Sequence, residues 1–320
     1  MENVAGMARG EHRQLLAEVI GNFQSKDYEI RENYKILNAA CFGVPQNRER
    51  LFLLGCKKGL KLPLYPHPIT KSLQSKNSIF DAELPDNPTV WDAIKDLPEV
   101  ENYPELYQRD WVVADFKEPS NYGKQLRGLT KARDDYSYKR SHDSRILTSS
   151  LRTKHTQKSI GRFESTPPGK TEPISRFFKL DPEGLCNTLR AGTASNRGGF
   201  TSARPIHPFV PRCITVREAA RLHSYPDWFT FHQTKWHGFR QVGNSVPPML
   251  ARAVASEIIK ALDVKLSKPK GIQELGSQEL LRLDMSKAAK LYGVGSHVIE
   301  PRLRKSAKRN REKNEDEPGI

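Results

Sequence analysis

Apolar positions Leu15, Leu16, Val19, Ile20 and Phe23 recur at helical spacing within residues 8–23, and they predict an amphipathic helix. Around 28–37 the β-formers Tyr28, Ile30, Tyr34 and Ile36 predict one strand or a hairpin arm. Leu51-Phe52-Leu53-Leu54, ended by Gly55, is a continuous apolar run and predicts a fully buried strand of the kind found in parallel sheets. A helix, a strand, a turn and a strand make a piece of an α/β sheet.

From about 60 to 205 the periodicity fades and prolines become frequent, as in "LPLYPHP" and "STPPGK". One short helix is predicted at 90–97, with Thr89 as its N-cap, Asp92 at N3 and Pro98 beyond its end. Regular pattern returns at 215. Thr215 and Glu218 form a capping box opening "REAARLH", a helix that must stop before Pro226. Pro247-Pro248 start another helix, with Leu250, Val254, Ile258 and Leu262 on one face and small alanines beside them. Those small residues predict close packing against a sheet. The tail after 263 is highly charged and is expected to be disordered at its end.

Charge adds a partner to this picture. The 320 residues carry 52 Lys+Arg against 37 Asp+Glu, a net +15, which makes nucleic acid the first candidate. Ten of the basic residues fall between 121 and 158, where Tyr136 and Tyr138 are interleaved, a texture that suits a surface tracking phosphates. A solvated basic loop has the same composition. No apolar run reaches membrane-spanning length, and no secretory leader is present. Cys41, Cys56, Cys186 and Cys213 lie far apart with no C-x-x-C pair, which argues against zinc or a disulfide framework and suits a reducing cytoplasm.

Three stretches carry candidate chemistry. "ENV" puts Glu2 at a strand end. "PQNRERLFLLG" puts Arg48 and Arg50 just before the buried strand, on one face by alternation. "RQVGNSVPPMLARAV" puts Asn244 and Ser245 in a glycine-preceded loop at a helix N-terminus, where a carboxylate or phosphate can be held. Singly, each also fits a plainer structural role: a cap, a surface ion pair, an Asx turn.

Together and in this order, they resemble the C-terminal part of a DNA (cytosine-5) methyltransferase. "ENV" resembles that family's motif VI, "QNRER" motif VIII, "TVREAARLHSYPDWF" motif IX and "GNSVPPMLA" motif X, over residues 1 to about 262. The resemblance implies an α/β fold: a partial Rossmann-like methyltransferase domain plus a smaller, irregular, mostly β target-recognition domain. It implies segments 1–59 (second half of the catalytic domain), 60–205 (target recognition) and 206–262 (motifs IX and X), followed by a basic extension at 263–320.

What the resemblance implies for the site is specific. Glu2 would face N3 and the exocyclic amine of a cytosine flipped out of the duplex, and Arg50, with Arg48, would donate to its O2. Asn244 and Ser245 would hold S-adenosylmethionine. Thr188, Arg190 and Arg197, around "GLCNTLRAGT" and the glycine-rich loop at 192–199, would meet DNA. The glycine-rich cofactor motif and the Pro-Cys motif with the nucleophile have no match here, and all four cysteines read as structural. The expectation is therefore one half of a split enzyme, completed by an N-terminal chain, or a truncated product. It would belong to a cytoplasmic, nucleoid-associated restriction-modification system. A catalytically inactive DNA-binding module is the alternative. An enzyme acting on tRNA is disfavoured by the long segment between Leu60 and Arg204.

Overall fold

The computed structural model describes residues 1–32, 34–71, 83–131, 135–192 and 204–295. They fall in two compact units, Met1–Ser277 and Gln278–Ile320. In the second, helix Met285–Leu291 is capped by Asp284, whose side chain accepts from the Lys287 amide at 2.8 Å. The expected disorder at the chain's end concerns residues outside the described set, as does Arg197.

The first unit opens with strand β1 (Glu2–Val4), helix α1 (His12–Gln24), and strands β2 (Tyr28–Ile30), β3 (Lys35–Asn38), β4 (Glu49–Phe52) and β5 (Gly55–Lys57). The apolar run at 51–54 supplies the centre of a three-stranded sheet of order β1-β4-β3, with Leu51 fully buried. Its expected parallel character is corrected. β4 runs antiparallel to both neighbours, pairing Val4 with Arg50 on one side and Leu37 with Arg50 on the other. A continuous apolar run reports burial on both faces, which any central strand has; direction follows from the connection. Segment 39–48, tightened by a 3-10 turn at Ala39–Phe42, is too short for a crossover and returns the chain antiparallel.

The middle of the chain holds α2 (Val90–Ile94), β6 (Val112–Val113), α3 (Asn121–Leu126), β7 (Lys139–Ser141), β8 (Ile146–Leu147) and α4 (Gln157–Ser165). The expected capping box forms: the Asp92 amide donates to Thr89 Oγ1 at 3.1 Å and the Thr89 amide to Asp92 Oδ2 at 3.2 Å. Within 60–205 the described residues are irregular but not mostly β, since the helices there outlast strands of two or three residues. Fading periodicity marked irregular chain; it carried no strand signal.

Helices α5 (Val216–Leu222), α6 (Lys235–Asn244) and α7 (Pro248–Ala261) and strand β9 (Ile272–Glu274) complete the unit. α2, α3, α5 and α6 share one apolar core with Leu180 and Leu189. A second core joins Leu37, Phe42, Val44, Phe52 and Leu54 to Leu250 and Val254 of α7. The last long helix thus packs on the first strands, some two hundred residues away, through Leu250 and Val254; of the small residues expected beside them, Ala253 joins the contact while Ala251 and Ala255 are exposed.

Candidate active site

Glu2 and Arg50 meet at the edge of the sheet. Glu2 stands opposite Phe52, two positions from Arg50 on the partner strand, so the two side chains are diagonal neighbours on one face. Arg50 Nε lies 3.1 Å from Glu2 Oε1, and the arginine also donates to the Glu49 carbonyl at 2.7 Å. Burial lowers the Arg50 pKa, opposed by Glu2. The glutamate side chain keeps 31% of its surface, enough for a ligand to reach it.

Arg48 is placed differently. It is 1% exposed and spends its guanidinium on backbone carbonyls: Nη1 to Leu189 at 2.6 Å, Nη2 to Gly243 at 2.7 Å and to Ser245 at 2.9 Å. Burial, with Arg50 close by, pushes its pKa down to about 9, so it stays charged at neutral pH. It staples three remote segments together from beneath the Glu2–Arg50 pair.

Sequence reasoning missed the residues around it. Gln46 is fully buried and fully used: Nε2 donates to the Leu222 carbonyl at 3.2 Å and to His223 Nδ1 at 3.0 Å, while Oε1 accepts from the Leu189 amide at 3.3 Å. With Nδ1 accepting, the His223 proton sits on Nε2 and points at the Ser245 carbonyl, 3.2 Å away. Gly243 has no room for a side chain. A Cβ there would stand 2.3 Å from the Arg190 carbonyl carbon and 2.4 Å from the Ala191 nitrogen. The sequence signals were present, as a glutamine two positions before the first arginine and a glycine before "NS", but nothing local says what they touch.

The remaining predicted residues divide. Thr188 Oγ1 donates to the Asn47 carbonyl at 2.7 Å, and the Asn47 amide donates to Cys186 O at 2.8 Å, so this threonine anchors segment 186–189 to residues 45–48. Arg190, the next outward position after buried Leu189, is exposed. Asn244 is exposed, but it ends α6 and does not sit in a loop opening α7; Ser245 caps it, donating to Val242 O at 2.8 Å. The expected helix-N-terminal setting is corrected. A helix C-terminus carries partial negative charge, which suits a cationic group and not an anion.

Helix α5 is buried on every side, so its arginines need internal partners. Arg221 grips Asp96 and Asp227 with two bonds each, at 2.6–3.1 Å. Arg212 grips Glu218 at 2.7 and 2.8 Å. Burial alone would raise the Glu218 pKa, but Arg212 holds it at about 2. His207 is pushed down to about 4 by burial, and His223 well below its ordinary value by burial and by Arg48. Both histidines are neutral when folded, whereas the unfolded chain protonates them near their ordinary value of about 6.5. Folding stability is therefore complete above about 6.5 and falls as pH drops toward 4; Glu218 adds its own loss only below about 4.5. Urea midpoints measured at pH 7.5, 6 and 5 should fall stepwise, and a flat series would contradict this.

Residues 1–260 match the model of the C-5 cytosine-specific DNA methylase family. The chain belongs to that family. It is 54% identical over 303 residues to type II methyltransferase M.XorII of Xanthomonas oryzae pv. oryzae, covering 95% of this chain and 68% of that protein. It is 27% identical to type II methyltransferase M.AgeI of Thalassovita gelatinovora, covering 82% of this chain and 73% of the relative. Among solved structures, a prophage-encoded E. coli protein described as a DNA modification methyltransferase superposes with a TM-score of 0.60. It is 30% identical, over 82% of this chain and 69% of that one. No helix among the described residues is long and apolar enough to cross a membrane.

Proposed function

We propose that this methylase chain forms the base pocket and target-recognition part of an enzyme that moves a methyl group from S-adenosylmethionine to C5 of a flipped cytosine in duplex DNA. The observation that carries this reading is the Glu2–Arg50 ion pair on adjacent strands, with the Glu2 side chain partly exposed. A flipped cytosine presents N3 and its amine on one edge and O2 beside them. The Glu2 carboxyl faces N3 and accepts from the amine, while Arg50 turns an N–H toward O2 as negative charge gathers on the ring. Arg48, buried and spent on the carbonyls of Leu189, Gly243 and Ser245, is assigned a structural role beside the pair.

Asn244 and Ser245, at the negative end of α6, fit the sulfonium-bearing end of the cofactor. When bound, S-adenosylmethionine supplies an electrophilic methyl group; these residues orient it. The thiolate that attacks C6 comes from none of the four cysteines here. Cys186 and Cys213 are buried and their pKa values are raised by that burial, Cys213 to about 12. Cys41 packs in the core under α7, and Cys56, in the β2–β5 ribbon, donates to the Leu60 carbonyl at 3.4 Å. A complementary chain or segment, working on cytoplasmic DNA, is the proposed source.

The purified chain, given tritiated S-adenosylmethionine and mixed-sequence DNA, should incorporate only background counts. Co-expressed with the portion of M.XorII outside the matched 303 residues, it should become active. Activity alone would place a nucleophile among the four cysteines. DNA binding without turnover in the complemented form would favour a pure recognition module.

Arg190 is the proposed DNA contact within the described part of the recognition segment. If it holds a phosphate, Arg190→Ala should weaken binding to every duplex alike and flatten the salt slope by about one unit. If it reads a base, the loss should be about 1–3 kcal/mol on the target site only. No change on any duplex would remove this segment from the interface.

A further inference from the structure

A cavity of about 460 Å³ lies apart from the groups assigned above. Its walls are the end of α3, residues 137–142 with β7, the turn at 224–229 after α5, and the first turn of α7. None of Glu2, Arg50, Asn244 or Ser245 lines it. Its volume is within the range of about 300–1,000 Å³ typical of small-ligand sites.

The β7 wall is held by β9, which runs parallel to it with Lys139 opposite Ile272 and Ser141 opposite Glu274. β9 lies beyond residue 260, where the family match ends. β9 thus backs one wall of the cavity and supplies none of its lining residues.

Its lining combines flat rings with uncompensated positive charge. Tyr138 is half exposed, and Trp228 and Phe229 present partly exposed rings. The Arg140 guanidinium lies 4.8 Å above the Trp228 ring. Among the described residues, five lysines and arginines line the cavity against one carboxylate, Asp135. Arg127 leans on Asp96 and Phe116, and Lys131 and Arg252 are both among the charges felt by Asp135. Lys131, Lys139 and Arg140 have no ion pair with a carboxylate among the described residues.

We propose that this cavity is a second ligand site that binds a nucleoside phosphate, the base against Tyr138, Trp228 and Phe229 and the phosphate on Lys131, Lys139 and Arg140. Rings of this kind stack on any base, and lysines and arginines hold the phosphate without reading sequence. Asp135 is the acceptor available for an exocyclic amine or a sugar hydroxyl. S-adenosylmethionine suits the cavity less well, because its sulfonium adds positive charge to a basic lining. The inference does not depend on whether the chain methylates DNA. The same chemistry is offered by a free nucleotide and by a nucleotide within a single DNA strand.

Calorimetric titration of the full chain with dAMP, with a single-stranded thymidine decamer and with inorganic phosphate tests this. Saturable binding of dAMP, much tighter than phosphate, identifies a free-nucleotide site. Saturable binding of the decamer without dAMP binding identifies the strand as the source. In either case Tyr138→Ala, and Lys131→Glu with Lys139→Glu, should each weaken binding at least about tenfold. Lys57→Glu with Lys61→Glu, the same charge change elsewhere on the surface, should leave it unaltered, with thermal unfolding confirming that each variant folds. If the paired lysine variant does not fold, Tyr138→Ala at its exposed position decides alone. Failure of both probes to bind, binding no tighter than phosphate, or binding that survives these variants overturns the proposal.

Discussion

Completed by the segment that carries the nucleophile, the Glu2→Gln and Arg50→Ala variants should each turn over about 10²–10³-fold more slowly than the parent. Duplex affinity should change far less, because both groups meet the flipped ring and act as charge develops on it, not in the ground-state complex. Single-turnover rates and filter-binding affinities on the same preparations measure the two separately. Arg50→Lys is the sharper variant. A lysine keeps the charge beside Glu2 but loses the planar fork, so most of the loss should remain if the guanidinium's direction toward O2 matters. Equal losses in rate and affinity would assign the pair to structure.

The second large effect concerns stability. Arg48→Met keeps the length of the side chain but leaves the carbonyls of Leu189, Gly243 and Ser245 without their buried donor. Ser245 O keeps the His223 Nε2 donor, so two carbonyls are orphaned at about 1–3 kcal/mol each, and a loss of roughly 2 kcal/mol or more is expected. Gly243→Ala attacks the same joint from the other side, since its Cβ would overlap the backbone at Arg190 and Ala191. Backbone cannot rotate away as a side chain can, and the cost should exceed the about 1–3 kcal/mol usual for overpacking. Urea unfolding of both variants checks this. The pair should be less than additive, because each breaks the contact between segment 188–191 and the end of α6. Full additivity would mean that the two residues stabilise separate features.

This joint explains why residues 45–48 sit so near the centre of the molecule. Within four positions they bond the recognition segment through Cys186, Thr188 and Leu189, the end of α5 through Leu222 and His223, and the α6–α7 connection through Gly243 and Ser245.

Local physics made a large part of the protein legible from its residues. The capping boxes at Thr89 and Thr215, the prolines opening α7, and the apolar run of β4 each specify their element through contacts within a few positions. Motif order carried the family and pointed to Glu2 and Arg50. Leu250 and Val254 of the apolar stripe of α7 carried its packing face, whereas Ala251 and Ala255 beside them are exposed. What the chain could not show by itself was direction and partnership. The antiparallel course of β4 depends on a turn at 39–48 that has no strong periodic signal. Alternation put Arg48 and Arg50 on one face but could not tell that only one reaches the surface, because depth is set by what covers the strand. Gln46, His223 and Gly243 acquire their roles from segments more than a hundred residues distant or from a backbone passing within a bond length or two. Sequence fixes propensity over a turn or a strand; these close approaches exist only after the cores have closed.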